Sequence, residues 1–328
     1  MKNRKKILGM GNALVDILIR IEQDAFLAEH RLPKGSMQLI DADFAQQLNL
    51  VTRDMQRSFA SGGSAANTIC GLAKLDVPTA FLGKTADDEN GTVFGSDMKT
   101  HGVDILLKKS TTTSSGFCTA FISPDGERTF ATYLGAALEL NADDISDDLF
   151  QGCDILHIEG YLLQNHELIR KAIVSAKRLG LEVSLDLASY NVVEENRDFL
   201  TELIEKYTDI VFANEEEAHA FTGLDAEKSL EYFASKVKIA IVKVGSKGSW
   251  VMAGDKKEQI AAYPTQLLDT TGAGDIYASG FLYGYVNGLD LKQCGKIGSF
   301  LASKIVAVMG PKFSESQWEA VKMQVLQL

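Results

Sequence analysis

Residues 154–214, DILHIEGYLLQNHELIRKAIVSAKRLGLEVSLDLASYNVVEENRDFLTELIEKYTDIVFAN, decide the fold class. Their short apolar runs predict strands at 154–160, 182–188 and 209–214, with a further strand downstream at 238–244. Their helical periods predict helices at 167–179 and 197–207. Strands that alternate with helices pair in parallel through right-handed crossovers, because a tight turn cannot join parallel neighbours. The fold class is therefore α/β.

Two segments interrupt this alternation because they contain strands without helices of their own. Residues 14–22 (LVDILIRIE) alternate as a strand with one covered face does, and residues 116–133 predict a hairpin around a Pro-Asp-Gly turn. We predict that these strands form a small separate sheet, a lid on the main body. The predicted body comprises residues 1–12, 41–112 and 135–328, and the predicted lid comprises residues 13–40 and 113–134.

Composition and charge restrict the class of partner. The chain has 328 residues, 33 Lys and Arg against 44 Asp and Glu, and a formal net charge of −11. A nucleic-acid binder needs a basic face, and the one concentrated basic stretch is the start, residues 1–6. No run of 18 apolar residues occurs, and the start lacks the pattern of a secretory signal. We therefore expect a cytoplasmic protein with no nucleic-acid or membrane partner.

The strongest chemical signal is the run DTTGAGD at residues 269–275, which precedes a predicted helix at 276–287. The small residues Gly272, Ala273 and Gly274 let backbone N–H groups approach a ligand, and a helix start adds unpaired donors and a positive dipole end. These features predict an anion hole. Asp275 is either an N-cap of the helix or a general base that accepts a hydroxyl proton beside the hole.

Two further elements are candidates for ligand contacts. Gly62 and Gly63 precede a predicted helix and either permit tight packing or let a polar substrate approach the backbone, with Asn67 one turn on. Asn214 ends a predicted strand, and Glu217 belongs to the three carboxylates that follow it. These carboxylates are either a solvated helix start favoured by the dipole or ligands that hold water-coordinated Mg²⁺.

The order of these motifs resembles the ribokinase or PfkB-type carbohydrate kinase family over essentially the whole chain. The motifs are Gly11-Asn12 with Asp16, Gly62-Gly63 with Asn67, Asn214-x-x-Glu217, Lys243-x-Gly245-x-x-Gly248, and the run 269–275. The resemblance implies a three-layer α/β/α body with a mostly parallel sheet and a β-sheet lid. It also implies ATP-dependent phosphorylation of a primary hydroxyl.

The resemblance implies a role for each matching residue. The catalytic residues would be Asp275 as base and Gly272, Ala273 and Gly274 as anion hole. Substrate contacts would come from Asn12, Asp16, Gly62, Gly63 and Asn67. ATP contacts would come from Asn214, Lys243, Gly245, Gly248, Thr271, Gly272, Gly274 and Arg128, although a surface salt bridge is the alternative interpretation of Arg128. Glu217 would order Mg²⁺ through water, and a requirement for a monovalent cation such as K⁺ stays open.

Within the family, the run GNALVDI at residues 11–17 is most similar to the adenosine kinase branch. The resemblance thus implies phosphorylation of a nucleoside, adenosine to AMP, by a monomer or homodimer that binds ATP and one small-molecule acceptor. The alternatives are a kinase for a free sugar such as fructose or ribose and, more remotely, a non-catalytic ligand sensor. Phe117, Phe121, Tyr133 and Leu134 are candidates to cover a base, or they form the core of the lid sheet.

Overall fold

The computed structural model describes residues 5–328, so most of the predicted basic start, residues 1–4, lies outside the described residues. The strands are β1 Ile7–Met10, β2 Leu14–Arg20, β3 Met37–Leu39, β4 Arg57–Gly62, β5 Thr79–Ala86, β6 Asp104–Ser110, β7 Gly116–Ile122, β8 Arg128–Tyr133, β9 Ile155–Glu159, β10 Glu182–Asp186, β11 Ile210–Asn214, β12 Ile239–Lys243, β13 Ser249–Ala253 and β14 Lys256–Ile260. The α-helices are α1 Ala25–Glu29, α2 Ala42–Thr52, α3 Ser64–Lys74, α4 Glu89–Thr100, α5 His166–Arg178, α6 Tyr190–Glu195, α7 Arg197–Lys206, α8 Glu215–Thr222, α9 Ala226–Ala234, α10 Ala273–Val286, α11 Leu291–Ile305 and α12 Glu315–Val325.

The larger sheet confirms the predicted α/β class. Within residues 5–328 it has nine strands in the order β14-β13-β12-β11-β10-β9-β1-β5-β6. Every pair from β12 to β6 is parallel, and β13 and β14 add an antiparallel edge. The alternation read from residues 154–214 is therefore the sequence of β9, α5, β10, α6, α7 and β11.

Helices cover both faces of the larger sheet, which gives three layers. In β1, Leu8 belongs to the apolar cluster beneath α5 to α9, whereas Ile7 belongs to the cluster beneath α3, α10 and α11. This alternation follows from the period of two in a strand, since successive side chains leave opposite faces. Both side chains are fully buried, as expected for parallel strands covered on both sides. None of the helices in residues 5–328 is long and apolar enough to span a membrane.

The smaller sheet has five strands within the described residues, in the order β3-β8-β7-β2-β4. It contains the predicted strand at 14–22 and both arms of the predicted hairpin. The predicted ranges assign residues 57–62 to the body, but these residues form β4, which pairs antiparallel with β2 in the smaller sheet. One face of the sheet, with Ile17 and Phe121, packs against α1 and α2.

The chain passes between the two sheets at two of the predicted ligand elements. Residues 11–13 connect β1 of the larger sheet to β2 of the smaller one, and Gly63 connects β4 of the smaller sheet to α3. Gly63 has a φ of 98°, and a Cβ there would lie 2.3 Å from the Asn12 carbonyl oxygen. Gly63 is therefore required both by its backbone conformation and by the close approach of the two connections.

Candidate active site

The carboxyl ends of neighbouring parallel strands bring the predicted polar residues together. Glu159 ends β9, Asp186 ends β10, Asn214 ends β11 and Lys243 ends β12, while Asn12 follows β1. The register pairs Glu159 with Asp186 and Asn214 with Lys243 across the sheet. Open α/β sheets bind ligands at this edge. Motifs that lie up to 231 residues apart in the sequence, from Asn12 to Lys243, are therefore brought to one cleft.

Asp275 lies in the first turn of α10, but it does not cap the helix. Gly272 occupies the N-cap position, and the Asp275 carboxylate instead accepts hydrogen bonds from α3. Ser64 Oγ donates to Oδ1 (2.7 Å) and Asn67 Nδ2 donates to Oδ2 (3.0 Å). Burial raises the pKa of Asp275 to about 6, although these two hydrogen bonds oppose the shift. The N-cap interpretation is therefore wrong: Asp275 is a buried carboxylate held by α3, and its role as a base stays a prediction.

The predicted anion hole is a turn that glycine makes possible. Gly272 has a φ of 74°, and a Cβ there would lie 2.6 Å from the Pro311 ring. At Gly274 a Cβ would come within 3.0 Å of Lys243 Nζ, so a lysine ammonium lies beside the start of α10. The Ala273 N–H already donates to the Thr270 carbonyl (3.1 Å). Free donors for an anion must therefore come from the later N–H groups of the first turn.

Lys243 is held in place by carboxylates. Its Nζ donates to Asp186 Oδ2 (3.2 Å), and both side chains are largely buried. Burial alone would lower the pKa of Lys243, but the Asp186 and Glu217 carboxylates outweigh it and raise the pKa. Lys243 is therefore a permanent cation within reach of an anion at the helix start.

Asn214 and Glu217 form a reciprocal capping box at the start of α8. Asn214 Oδ1 accepts from the Glu217 N–H (2.8 Å), while Glu217 accepts from the Asn214 N–H (2.8 Å) and from Nδ2 (2.6 Å). The predicted helix start is present, but Glu217 is buried, not solvated, and its Mg²⁺ role stays a prediction. Residues 5–328 contain no group of three or more acidic, His or Cys side chains placed to hold a metal ion. A single carboxylate that acts through water suits Mg²⁺, which keeps several of its waters.

Asp16 faces the cleft from the smaller sheet, opposite the start of α10. A Cβ at Gly62 would lie 2.3 Å from Asp16 Oδ1, so the carboxylate lies directly over the Gly62 backbone. Burial raises the pKa of Asp16 to about 6, with Lys312 opposing the shift and Asp275 adding to it. Across residues 5–328, no donor reaches the Asp16 carboxylate within hydrogen-bond distance. Its oxygens are therefore free to accept from a ligand, as a vicinal diol requires.

Arg128, in β8 of the smaller sheet, reaches across to the run 269–275. Its Nη1 lies 2.7 Å from Asp269 Oδ2, and both side chains are more than nine-tenths buried. The contact is a buried ion pair between the smaller sheet and the loop before α10, in contrast to the surface salt bridge considered from sequence. Arg128 Nε and Nη2 are buried and have no partner within residues 5–328. These orphaned donors fit an anionic group that enters the cleft.

Residues 34–318 match the model of the pfkB family carbohydrate kinases, and this match covers most of the chain. The chain belongs to the pfkB family. Its relatives are kinases, which transfer a phosphoryl group to a hydroxyl group. The family membership predicted from the sequence motifs is therefore confirmed.

Relatives of this pfkB kinase carry two kinds of name. Among solved structures, a probable sugar kinase from Rhizobium etli is 36% identical over 99% of both chains, with a TM-score of 0.86. An adenosine kinase from Sinorhizobium meliloti is 37% identical over 98% of this chain and 99% of that one, also with a TM-score of 0.86. Among curated proteins, a 5-dehydro-2-deoxygluconokinase from Clostridium perfringens is 31% identical, over 75% of this chain and 78% of its own.

Glu159 is a site residue of this kinase that the sequence analysis missed. Its carboxylate accepts from the Asn12 N–H (2.9 Å), from Asn12 Nδ2 (2.8 Å) and from the Ala65 N–H (2.8 Å). A Cβ at Gly11 would lie 2.4 Å from Glu159 Oε2, which explains the glycine before Asn12. Burial raises the pKa of Glu159 to about 7. The available signal was its position at the carboxyl end of a predicted strand.

The glycine loop of the pfkB kinase and Thr271 have structural contacts of their own. Gly245 and Gly248 flank the turn between β12 and β13, with φ values of 57° and 96°. A Cβ at Gly248 would lie 1.9 Å from the Ile260 carbonyl oxygen, so this turn needs glycine without any ligand. Thr271 donates to Asp269 Oδ1 through its N–H (3.0 Å) and through Oγ1 (2.7 Å). The loop lies next to Lys243, and its role in nucleotide binding stays a prediction.

Three of the side chains considered for covering a base lie on the wrong face of the smaller sheet. Phe117, Phe121 and Tyr133 share the face that packs against the core, where the first two are almost fully buried and Tyr133 packs on Phe117. Leu134 follows the end of β8 with helical dihedral angles, so strand register assigns it to neither face and its contact with a base stays a prediction. The prediction of the first three as base contacts is therefore wrong, and their alternative role in the sheet core is correct.

Proposed function

We propose that this pfkB kinase transfers the γ-phosphoryl group of ATP to the 5′ hydroxyl of adenosine, giving AMP. The observation that carries the proposal is the apolar surface next to Asp16 on the cleft face of the smaller sheet. Strand register places Leu18, Ala120, Phe130 and Met37 in one row across β2, β7, β8 and β3. The neighbouring row carries Asp16, Cys118, Thr132 and Leu39.

This surface is unusual for a site that would hold only a polyhydroxylated sugar. Met37 and Leu39 are more than half exposed, and Phe130 keeps part of its ring accessible. Exposed apolar side chains beside a polar contact suit a ligand with one polar and one aromatic part. In the proposed complex Asp16 accepts from the 2′ and 3′ hydroxyls, and the base packs on Phe130. The similarity to the adenosine kinase from Sinorhizobium meliloti supports the same acceptor.

The mechanism follows from the groups around Asp275. Its carboxylate is fixed by Ser64 and Asn67, and in its ionised form it accepts the proton of the attacking hydroxyl. The N–H groups at the start of α10 and the Lys243 ammonium lie where negative charge develops on the transferred group. Arg128 supplies further donors from the smaller sheet. We propose that this sheet acts as a lid that excludes water from the transfer.

Mg²⁺ and ATP are the cofactor and co-substrate of the proposed reaction. Glu217 would hold the magnesium ion through water, with Asn214 fixing the carboxylate. The bound cation would neutralise charge on the β- and γ-phosphates. We further propose a cytoplasmic enzyme that acts as a monomer or homodimer on one small-molecule acceptor, with a K⁺ requirement left to be measured.

The direct test is a screen of acceptors. ADP release with Mg²⁺-ATP is measured for adenosine, inosine, ribose, fructose and 5-dehydro-2-deoxygluconate, the acceptor that the relatives' name indicates. We expect saturation by adenosine at the lowest concentration. Saturation by a sugar at micromolar concentration, without response to adenosine, would replace the proposed acceptor. Absence of turnover with every acceptor would favour a ligand sensor.

A matched pair of variants tests the proposed contact with the base. Phe130→Ala removes the ring from the cleft face, whereas Phe59→Ala removes a partly exposed ring from the opposite face of β4. A stacking contact contributes about 1 kcal/mol, so the KM for adenosine should rise roughly fivefold in the first variant only. The KM for ATP should not change. Equal effects of the two variants would contradict the placement of the base.

A further inference from the structure

Residues 310–312, between α11 and α12, contact both sides of the proposed cleft. The Gly310 N–H donates to Asp269 Oδ2 (2.7 Å), and the Pro311 ring packs where Gly272 lacks a side chain. The next residue, Lys312, turns to the smaller sheet. Its Nζ donates to Ser61 Oγ (2.5 Å) and to Asp97 Oδ2 (2.9 Å). We call residues 310–312 the bridging segment.

Lys312 completes a partly buried network at the end of β4. Ser61 is fully buried, and both its N–H and its Oγ donate to Asp97 Oδ2 at 2.7 Å. Ser61 directly precedes Gly62, over whose backbone the Asp16 carboxylate lies. The charge-assisted hydrogen bonds from Lys312 therefore fix the end of β4, which contains the proposed acceptor contact Gly62.

The charge of Lys312 also reaches the acceptor carboxylate. Three charged groups act on Asp16: Lys312 and Arg128 lower its pKa, whereas Asp275 raises it together with burial. The Cys118 thiol faces Asp16 from the next strand, and its own pKa is raised to about 12, so it stays neutral. Lys312 thus favours the ionised form of Asp16, which accepts hydroxyl protons best.

We propose that Lys312 is a positioning residue for acceptor binding, which holds the end of β4 at Ser61 and Gly62 while making no contact with the acceptor. The inference rests on the proposed function only in placing the acceptor at Asp16. The bridging segment then links the end of β4, which contains Ser61 and Gly62, to the loop that contains Asp269 and Gly272. A change at Lys312 should affect acceptor binding more than ATP binding.

The test compares Lys312→Met, Lys312→Arg and the control Lys322→Met. Lys322 lies on α12 and pairs with Asp76 (2.6 Å), away from the cleft residues. In Lys312→Met we expect the acceptor KM to rise about tenfold, since a bond to a charged group is lost, with the KM for ATP changed less than about twofold. The acid limb of kcat/KM for the acceptor should move to higher pH. Lys312→Arg should restore most of the lost affinity.

A second readout is independent of the acceptor. Hydrogen exchange of the ligand-free protein should be faster at residues 61–63 in Lys312→Met and unchanged in Lys322→Met, with circular dichroism confirming that both fold. Equal changes in the KM for acceptor and for ATP, or an unmoved acid limb, would overturn the proposed role. If the wild-type kinase uses a sugar and not adenosine, the proposed acceptor fails. The same kinetic test then applies to that sugar, and the exchange result stands by itself.

Discussion

Replacing Asp275 by Asn tests the proposed catalytic base with little change in shape. The amide can still accept from Ser64 Oγ, which lies 2.7 Å from the carboxylate oxygen, but it cannot take a proton from the acceptor. Loss of a positioned general base costs about 10² to 10⁴ in rate. We therefore expect kcat to fall at least a hundredfold, with KM values for ATP and acceptor changed only slightly. A coupled ADP-release assay at saturating substrates measures this.

The stability of the variant distinguishes loss of the catalytic base from misfolding. Because the pKa of Asp275 rises from 3.8 to about 6 on folding, the folded state binds more protons between these pH values. Stability should therefore fall as pH rises through this window, by at most about 3 kcal/mol at 1.36 kcal/mol per unit. Asn cannot ionise, which removes the cost of a buried charge, and its Nδ2 can donate to Asn67 Oδ1 once that amide turns over, so the variant should be about as stable as the wild type at neutral pH. A kcat within tenfold of wild type, in a folded variant, would refute the assignment.

Three further predictions concern residues around the cleft. Glu159→Gln should raise the acceptor KM about tenfold in steady-state assays, because the two Asn12 donors share Oε1 while the Ala65 N–H donates to Oε2, and an amide offers only one accepting oxygen. Arg128→Ala should lower kcat and leave a buried aspartate unpaired, which should lower the free energy of unfolding in urea by about 3 kcal/mol. Gly62→Ala should weaken acceptor binding more than ATP binding in a titration, because its Cβ would overlap the Asp16 carboxylate at 2.3 Å.

The pH profile gives a last prediction, with a definite sign. Ionised Asp275 and ionised Asp16 are the active forms, and burial raises both pKa values to about 6, so kcat/KM should fall as pH drops through about 6. Ser64→Ala removes a hydrogen bond that stabilises the ionised form, so the acid limb should move upward by about one unit. A limb that stays in place, or moves downward, would contradict the role of Ser64.

Much of the fold could be predicted from local patterns. The strands β9, β10 and β11 lie within a residue or two of their predicted bounds, because buried parallel strands are short apolar runs between helical periods. The β4 segment RSFASG escaped prediction because it is neither apolar nor strictly alternating. It is an edge strand that pairs only with β2, and its conformation depends on that tertiary partner.

Site residues that belong to a short sequence motif could be predicted, whereas site residues outside such motifs could not. Asp275 and Asn214 were found because each follows a local signal, a helix start or a strand end. Glu159 and Lys312 were missed because their partners lie 147 and 251 residues away in sequence. Local patterns also do not tell which face of the smaller sheet an aromatic side chain occupies, because a shift of one residue exchanges the two faces. Strand register places Phe130 on the cleft face.

The net charge of −11 does not conflict with an enzyme that handles ATP, because the cleft organises its charges in pairs. Each cation of the cleft is fixed by an aspartate, in the pairs Lys243–Asp186, Arg128–Asp269 and Lys312–Asp97. Pairing orients each cation and offsets part of its charge. The potential that favours a phosphate then comes from the Lys243 ammonium beside the start of α10, from the backbone N–H groups of that helix start, from the orphaned donors of Arg128 and from the Mg²⁺ of the proposed reaction. These sources are local, so the sign of the whole surface is free to serve solubility.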